Sequence, residues 1–319
     1  MQLSLSRLGA IASLCLFTAS ASAAGLLPVS QIFVFGDSLS DTGNAFTQTG
    51  GSYPADPPNF DGRLSNGPLW IETFGPGLGV SVTSYAVTGA QSGTGNSVSD
   101  TYPELSNTGL ANQVANFQAS LEAPADAGAL YVVFAGSNNF CQSCFIPGVT
   151  DPLELVAEGV TDLVTAVATL AGVGAEKFLV FGLPDLGLTP RAASVPLPGI
   201  PEQLSQLTDA WNTALFGILP ALPGLKTFDT AQALRDVVAD PGAFGFSNVE
   251  DACLELVACA DGSLDLVGFL FWDSIHPTRA THELLGELAL AQVVPIPAAA
   301  WLFASALGLL GWMRRRTNY

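Results

Sequence analysis

Five short apolar runs punctuate the chain, at Gln31 to Phe35, Val80 to Val87, Ala129 to Ala135, Lys177 to Gly182 and Leu225 to Asp229. Most are continuous rather than alternating, the pattern of strands covered on both faces. Between them the apolar spacing turns helical, over Pro68 to Phe74, Leu110 to Leu121, Leu153 to Ala171, Glu202 to Leu219 and, last, Thr278 to Gln292. Strand and helix in alternation predict an α/β fold with a parallel sheet covered on both sides. Two stretches break the pattern and read as long loops. Thr47 to Asn66 is rich in Gly, Pro, Ser and Asn, and Thr189 to Pro201 carries Pro190, Pro196, Pro198 and Pro201. Ligands in open α/β sheets meet the loops at the carboxyl ends of strands, so both loops are expected to wall a cleft.

The two ends depart from this pattern. Residues 1–23 combine Arg7, an apolar run from Leu8 to Phe17 and the small residues Ala21-Ser22-Ala23. That is the layout of a secretory signal peptide, with a buried N-terminal helix as the plain alternative. At the far end Ala298 to Met313 carries no charge and is followed by Arg314, Arg315 and Arg316. At 1.5 Å per residue the run spans about 24 Å, slightly short of a bilayer core, a deficit that snorkelling arginines or local thinning covers. Arginines on the inside and a cleaved leader agree on one topology, with the domain of residues 24–294 outside.

Removing both ends sharpens the charge. Arg7 and Arg314 to Arg316 lie in them, so the remainder holds six basic residues against all 28 acidic ones, a formal net charge of −22. Such a surface repels phosphate backbones, which excludes nucleic acid as a partner and disfavours polyanionic substrates. Cys15 leaves with the leader; Cys141, Cys144, Cys253 and Cys259 remain. An even number in an oxidising compartment favours disulfides. Short loops suggest Cys141 with Cys144 and Cys253 with Cys259, although spacing leaves the connectivity open. A zinc site is the rival reading, weakened by the five residues inside the second pair and by export.

Candidate chemistry begins directly after the first strand, where Phe35-Gly36-Asp37-Ser38-Leu39-Ser40-Asp41-Thr42-Gly43-Asn44 puts Ser38 at a strand-to-helix turn. A serine there can present its hydroxyl at the sheet edge or simply cap the helix. An imidazole-activated serine has only His276 and His282 to choose from. His276 follows Asp273 by three residues and precedes Pro277, so the acid can turn back to hold Nδ1 and leave Nε2 free. His282 lies inside the following helix with no acid so placed, and reads as structural.

With these residues in place the chain resembles the GDSL, or SGNH, serine hydrolases. Gly36 to Asn44 is similar to their nucleophile segment, Tyr85-Ala86-Val87-Thr88-Gly89-Ala90 to the second, Ala135-Gly136-Ser137-Asn138-Asn139 to the third, and the stretch around Asp273 and His276 to the last. Gly62 to Trp70 and Leu183 to Pro190 extend the likeness. The resemblance implies a flavodoxin-like three-layer sandwich with a central, mainly parallel sheet, and neither metal nor cofactor. It makes Ser38 the nucleophile, His276 the base and Asp273 the acid, with an oxyanion hole from the Ser38 and Gly89 amides and the Asn138 side chain. The implied activity is cleavage of acyl esters, with a lipid or an acylated polysaccharide as substrate. Thr88 stands where a glycine is common and Asn139 where an aspartate is frequent. No G-x-S-x-G elbow, H-E-x-x-H helix or G-K-[ST] loop is present. A non-catalytic envelope or matrix-binding protein on the same fold is the alternative.

The tail also carries a resemblance. Val293 to Arg316, with Pro295-Ile296-Pro297, an apolar stretch and the basic cluster, is similar to PEP-CTERM sorting signals, with Ile296 where their glutamate stands. This implies export to the envelope or outside of a Gram-negative bacterium and processing of residues 295–319 by an exosortase. A permanent membrane anchor is the plain alternative.

Overall fold

The computed structural model describes residues 26–140, 151–256 and 268–294. The leader, the tail and Cys141, Cys144 and Cys259 lie outside them. Five strands form the central sheet: β1 (Ile32–Gly36), β2 (Val82–Ser84), β3 (Leu130–Phe134), β4 (Lys177–Phe181) and β5 (Leu225–Phe228), in the order β2-β1-β3-β4-β5. All four pairings are parallel, with Ile32 opposite Val82 and Gly36 opposite Phe134. This is the doubly wound order of flavodoxin-like folds, as the motifs implied.

Period-2 alternation divides each strand between two cores. Phe35, Tyr131, Val133, Phe178 and Val180 face α3 (Leu110–Ala119), α4 (Pro152–Gly172) and α6 (Ile200–Ile218), which contribute Phe117, Leu163 and Trp211. Ile32, Val34, Val132, Phe134 and Phe181 face the other way, onto Trp70 and Phe74 of α2 (Trp70–Leu78) and Ala289 and Val293 of α8 (Arg279–Val293). Helix, sheet and helix therefore make three layers. The short helix α1 (Asn44–Gln48) follows the turn after β1.

Three segments differ from the pattern expected. Thr189 to Pro201 is not one loop: α5 (Pro190–Ser194) opens at Pro190 with the Thr189 side chain accepting from the Ala192 amide at 3.2 Å, and α6 starts at Ile200. Pro190 and Pro201 both sit in first turns, where a missing N–H costs no helical bond. Helix α2 runs past Phe74 to Leu78 with Pro76 inside it. The span after Asp229, left unassigned by the pattern, holds α7 (Thr230–Ala239) and a two-stranded parallel sheet of β6 (Asn248–Ala252) and β7 (Phe269–Phe271).

Candidate active site

Strand β1 ends at Gly36, where a Cβ would lie 2.1 Å from the Phe134 carbonyl oxygen, so only glycine lets the two strand ends approach. Two residues later Ser38 leaves the sheet. Its Oγ lies 2.9 Å from Nε2 of His276, and Nδ1 of His276 lies 2.6 Å from Oδ2 of Asp273. A carboxylate cannot donate, so Nδ1 carries the proton and Nε2 is left to accept from the serine hydroxyl. The other carboxyl oxygen of Asp273 accepts from the amides of Ile275 at 2.9 Å and His276 at 2.7 Å, which closes the turn between acid and imidazole. Burial alone would raise the Asp273 pKa. The charge and hydrogen bond of His276, with those two amides, more than offset it and hold the group at about 2. The acid is thus ionised at neutral pH. Ser38 and His276 are both buried.

The first of the two expected loops braces this pair. Asn59 accepts from the Trp272 indole N–H at 3.0 Å, Ser65 donates to the Pro277 carbonyl at 3.0 Å, and Asn66 accepts from the Arg279 amide at 2.7 Å. None of Thr47 to Asn66 lines the cavity beside Ser38. The loop's polar side chains Asn59, Ser65 and Asn66 are committed to the Trp272 indole and to backbone beside the imidazole.

The remaining expected residues lie on the turns after β2 and β3. Gly89 has φ +81°, and a Cβ there would meet Asn96 Oδ1 at 2.4 Å. Both facts require glycine. Asn138 Nδ2 donates to the Ala90 carbonyl at 3.1 Å and its Oδ1 accepts from Ser97 Oγ at 3.2 Å, which sets the amide's orientation and ties it to the Gly89 turn. Nδ2 carries two hydrogens, so one remains for a substrate oxygen. Ser38, Asn138 and His276 line one cavity; Gly89 does not touch it.

Asn139 differs from the usual aspartate for a local reason. Its side chain accepts from the Ser92 amide at 2.9 Å and donates to Ser92 Oγ at 2.7 Å, while that hydroxyl donates to Asp162 at 2.7 Å. A carboxylate could bond that hydroxyl only by taking its proton away from Asp162.

Three side chains that hold the site escaped the sequence reading. Asp41 accepts from Gly43, Asn44, Ala45 and Thr88 amides at 2.6 to 3.1 Å, which joins the nucleophile turn to the Gly89 turn. Asn44 donates to the carbonyls of Ser84 and Ala86 at 2.9 and 2.8 Å. Gln113, on the buried side of α3, clasps both the N–H and the carbonyl of Gly36 at 2.8 Å. The signal was present: a polar residue between Leu110, Val114 and Phe117 interrupts an apolar stripe.

Two further titratable groups are buried nearby. The Asp37 carboxyl accepts from the Leu39 amide at 3.1 Å through Oδ1, while Oδ2 has no partner among the described residues. Burial pushes it up to about 7 against the opposing pull of the Leu39 amide and the His276 charge. His282 is buried with neither ring nitrogen hydrogen-bonded among the described residues, and burial, then the His276 charge, depresses it to about 3.

The cavity holds about 120 Å³. From Ser38 it extends between Ala233, Leu234 and Val237 of α7 and Leu284, Leu285 and Leu288 of α8; of the second expected loop only its first residue, Thr189, reaches the wall, beside Pro184 and Leu186 that precede it. Helix α7 is tied down from outside. Arg235 donates to buried Asp185 at 2.7 Å and pairs with Asp209 on α6 at 2.8 Å, and Ser205 donates to Asp185 at 2.6 Å. No cluster of His, Cys, Asp and Glu fit for a metal ion occurs among the described residues.

The family profile described as GDSL-like Lipase/Acylhydrolase matches residues 32–289. The chain is 28% identical to a phosphatidylcholine-sterol acyltransferase of Aeromonas hydrophila, over 82% of this chain and 89% of that protein. It is 25% identical to a thermolabile hemolysin of Vibrio parahaemolyticus, over 81% of this chain and 62% of the hemolysin. A GDSL esterase/lipase of Arabidopsis thaliana is 26% identical over 84% of this chain and 92% of its own. Among solved structures, the inhibitor-bound aryl esterase of M. smegmatis aligns over 83% of this chain and 98% of its own, at 19% identity and a TM-score of 0.49.

Proposed function

The chain belongs to the GDSL-like lipase/acylhydrolase family and cleaves ester bonds, and from that premise we propose that Ser38 is its nucleophile. Oγ attacks the ester carbonyl as His276 Nε2 takes its proton; Asp273 holds the imidazolium that results. The oxyanion formed is met by the Ser38 and Gly89 amides and by Asn138 Nδ2. Preorganised donors of this kind are worth roughly 3 to 4 kcal/mol each. His276 then returns the proton to the leaving alcohol, and water, activated by the same imidazole, releases the acid and restores the serine. The single observation that carries this reading is the continuous relay of 2.6 and 2.9 Å contacts from Asp273 through His276 to Ser38. The likeness to an acyltransferase supports an acyl-enzyme, since transfer and hydrolysis differ only in whether an alcohol or water attacks it.

The domain acts, on this reading, outside the cell: residues 1–23 direct export, and residues 295–319 serve as a sorting signal or anchor, cleaved by an exosortase in the first case. Cys253, which is disulfide-bonded, supports an oxidising compartment. Its pairing with Cys259, and that of Cys141 with Cys144, belong to the same proposal. The net charge of −22 between the two ends favours neutral ester substrates, whether lipid or acylated polysaccharide. The non-catalytic alternative has no observation in its favour.

The test is hydrolysis of p-nitrophenyl esters by the full chain and by Ser38→Ala. The variant should lose about 10⁵-fold or more in kcat at unchanged folding, as loss of such a nucleophile does. A fluorophosphonate should label wild type and not the variant. Hydrolysis by Ser38→Ala at the wild-type rate would remove Ser38 from the mechanism.

A further inference from the structure

The cavity of about 120 Å³ beside Ser38 runs from the turns that carry Asp37, Ser38 and Asn138 into the space between α7 and α8. Its exposed wall is mostly Leu, Val, Ala, Ile and Phe, and the polar groups that reach it are Asp37, Ser38, Asn138, His276 and a few Ser and Thr side chains. A pocket with so apolar a wall favours an apolar guest over water. We propose that it is the acyl pocket, and that it selects a linear, unbranched chain of roughly five carbons, by comparison with voids of about 150 Å³ that take a six-carbon ring. The proposal rests on Ser38 being the nucleophile.

The two halves of an ester make different demands on such a space. The alcohol must depart and be replaced by water within one turnover, so its half needs an open path to solvent. The acyl half stays bonded to Oγ through both steps and can occupy a recess without blocking exchange. A pocket that is nearly all apolar also suits methylenes rather than a sugar or headgroup, whose hydroxyls would find few partners there. The pocket therefore points to a short-chain acyl ester, longer than acetate and shorter than a membrane fatty acid. An acetyl group would leave most of it empty.

Position along the helices identifies the residues that set the length. Val237 lies one turn beyond Ala233 on α7, and Leu288 one turn beyond Leu284 on α8, so each lines the cavity at a second level. Val237→Trp should shorten the space and Leu288→Ala should lengthen it.

The experiment is kcat/KM on p-nitrophenyl esters from acetate to decanoate, for the full chain and both variants, with fluorophosphonate labelling of Ser38 as the check on folding. Wild type should gain about fourfold per added methylene until the pocket is full, near pentanoate or hexanoate, then decline. Val237→Trp should move the optimum to acetate or propanoate, and Leu288→Ala should move it one or two carbons longer. An optimum that stays in place in labelled variants overturns the pocket and leaves the nucleophile intact. Should Val237→Trp fail to label, the Leu288→Ala profile alone decides. Absence of both labelling and hydrolysis in wild type overturns pocket and nucleophile together.

Discussion

The turns around Ser38 and the helices around the cavity meet at one serine, yet different forces hold them. In the turns, Asp41, Asn44, Gln113 and Asn138 each bond to backbone from more than one atom or to more than one partner, so every peptide near the nucleophile has a prescribed direction. In the cavity, α7 and α8 meet through apolar side chains, and Arg235 anchors α7 from its outer side. Directional bonds fix positions to fractions of an ångström, as charge development in a transition state requires. Apolar packing is non-directional and tolerates volume changes at modest cost. The chemistry should therefore be brittle and the substrate range adjustable.

Asp273→Asn makes the harshest test of this contrast. It keeps the shape of the turn and allows the wrong imidazole tautomer, so kcat should fall about 10⁴-fold with KM little changed. No single truncation in the α7 or α8 wall should approach that loss. Steady-state kinetics checks it, and a loss below tenfold would show that the polar turn does not set the rate.

Acid titration of stability separates the same regions by sign. His282, on the cavity helix α8, has its pKa depressed to about 3, so the unfolded chain binds the extra proton between that value and 6.5 and stability falls as pH drops. Asp37, in the nucleophile turn, is raised to about 7, so the folded chain binds the extra proton from 3.8 upward to that value and stability rises on acidification. Asp41, raised by burial, acts in the same direction. Asp273, lowered to about 2, removes stability below 3.8. Between pH 6.5 and 3.8 these contributions oppose, and below 3.8 His282 and Asp273 act together. Replacing His282 by Leu should make stability rise, relative to wild type, by up to about 1.4 kcal/mol per pH unit of acidification from 6.5. Urea unfolding at stepped pH measures the difference; parallel curves would rule out a titrating His282.

Arg235→Met addresses the outer anchor and should have the smallest effect. Asp185 keeps Ser205 and the Gly187 amide, so the loss is about 1 to 3 kcal/mol of stability, with KM for the preferred ester rising more than kcat falls. Equal changes in both would place Arg235 in the rate-setting machinery.

The same contrast explains what could be read from the residues alone. Residue type and spacing single out Ser38, Asp273 and His276 as candidates, the resemblance to the GDSL hydrolases adds Gly89 and Asn138, and continuous apolar runs announce the sheet. The cavity is built from the same Leu, Val and Ala that fill the core, and a void arises from the angle and volume of two facing helices, which no one-dimensional pattern records. Helix α7 was unassigned because Gln232, Arg235 and Asp236 dilute its apolar stripe, and β6 because Asn248-Val249-Glu250-Asp251-Ala252 is a mostly polar, partly exposed ribbon.

Ser38 and His276 are 238 residues apart along the chain, and Asn59, Ser65 and Asn66 fasten the imidazole's surroundings back to the beginning of the domain. On the proposed roles, the nucleophile is synthesised 238 residues before its base, and the pair cannot form until both are made. Contacts so distant in sequence slow folding, because the entropy of closing the loop must be offset before they form. On the same roles, a chain cut short of His276 would carry the serine without the imidazole that activates it.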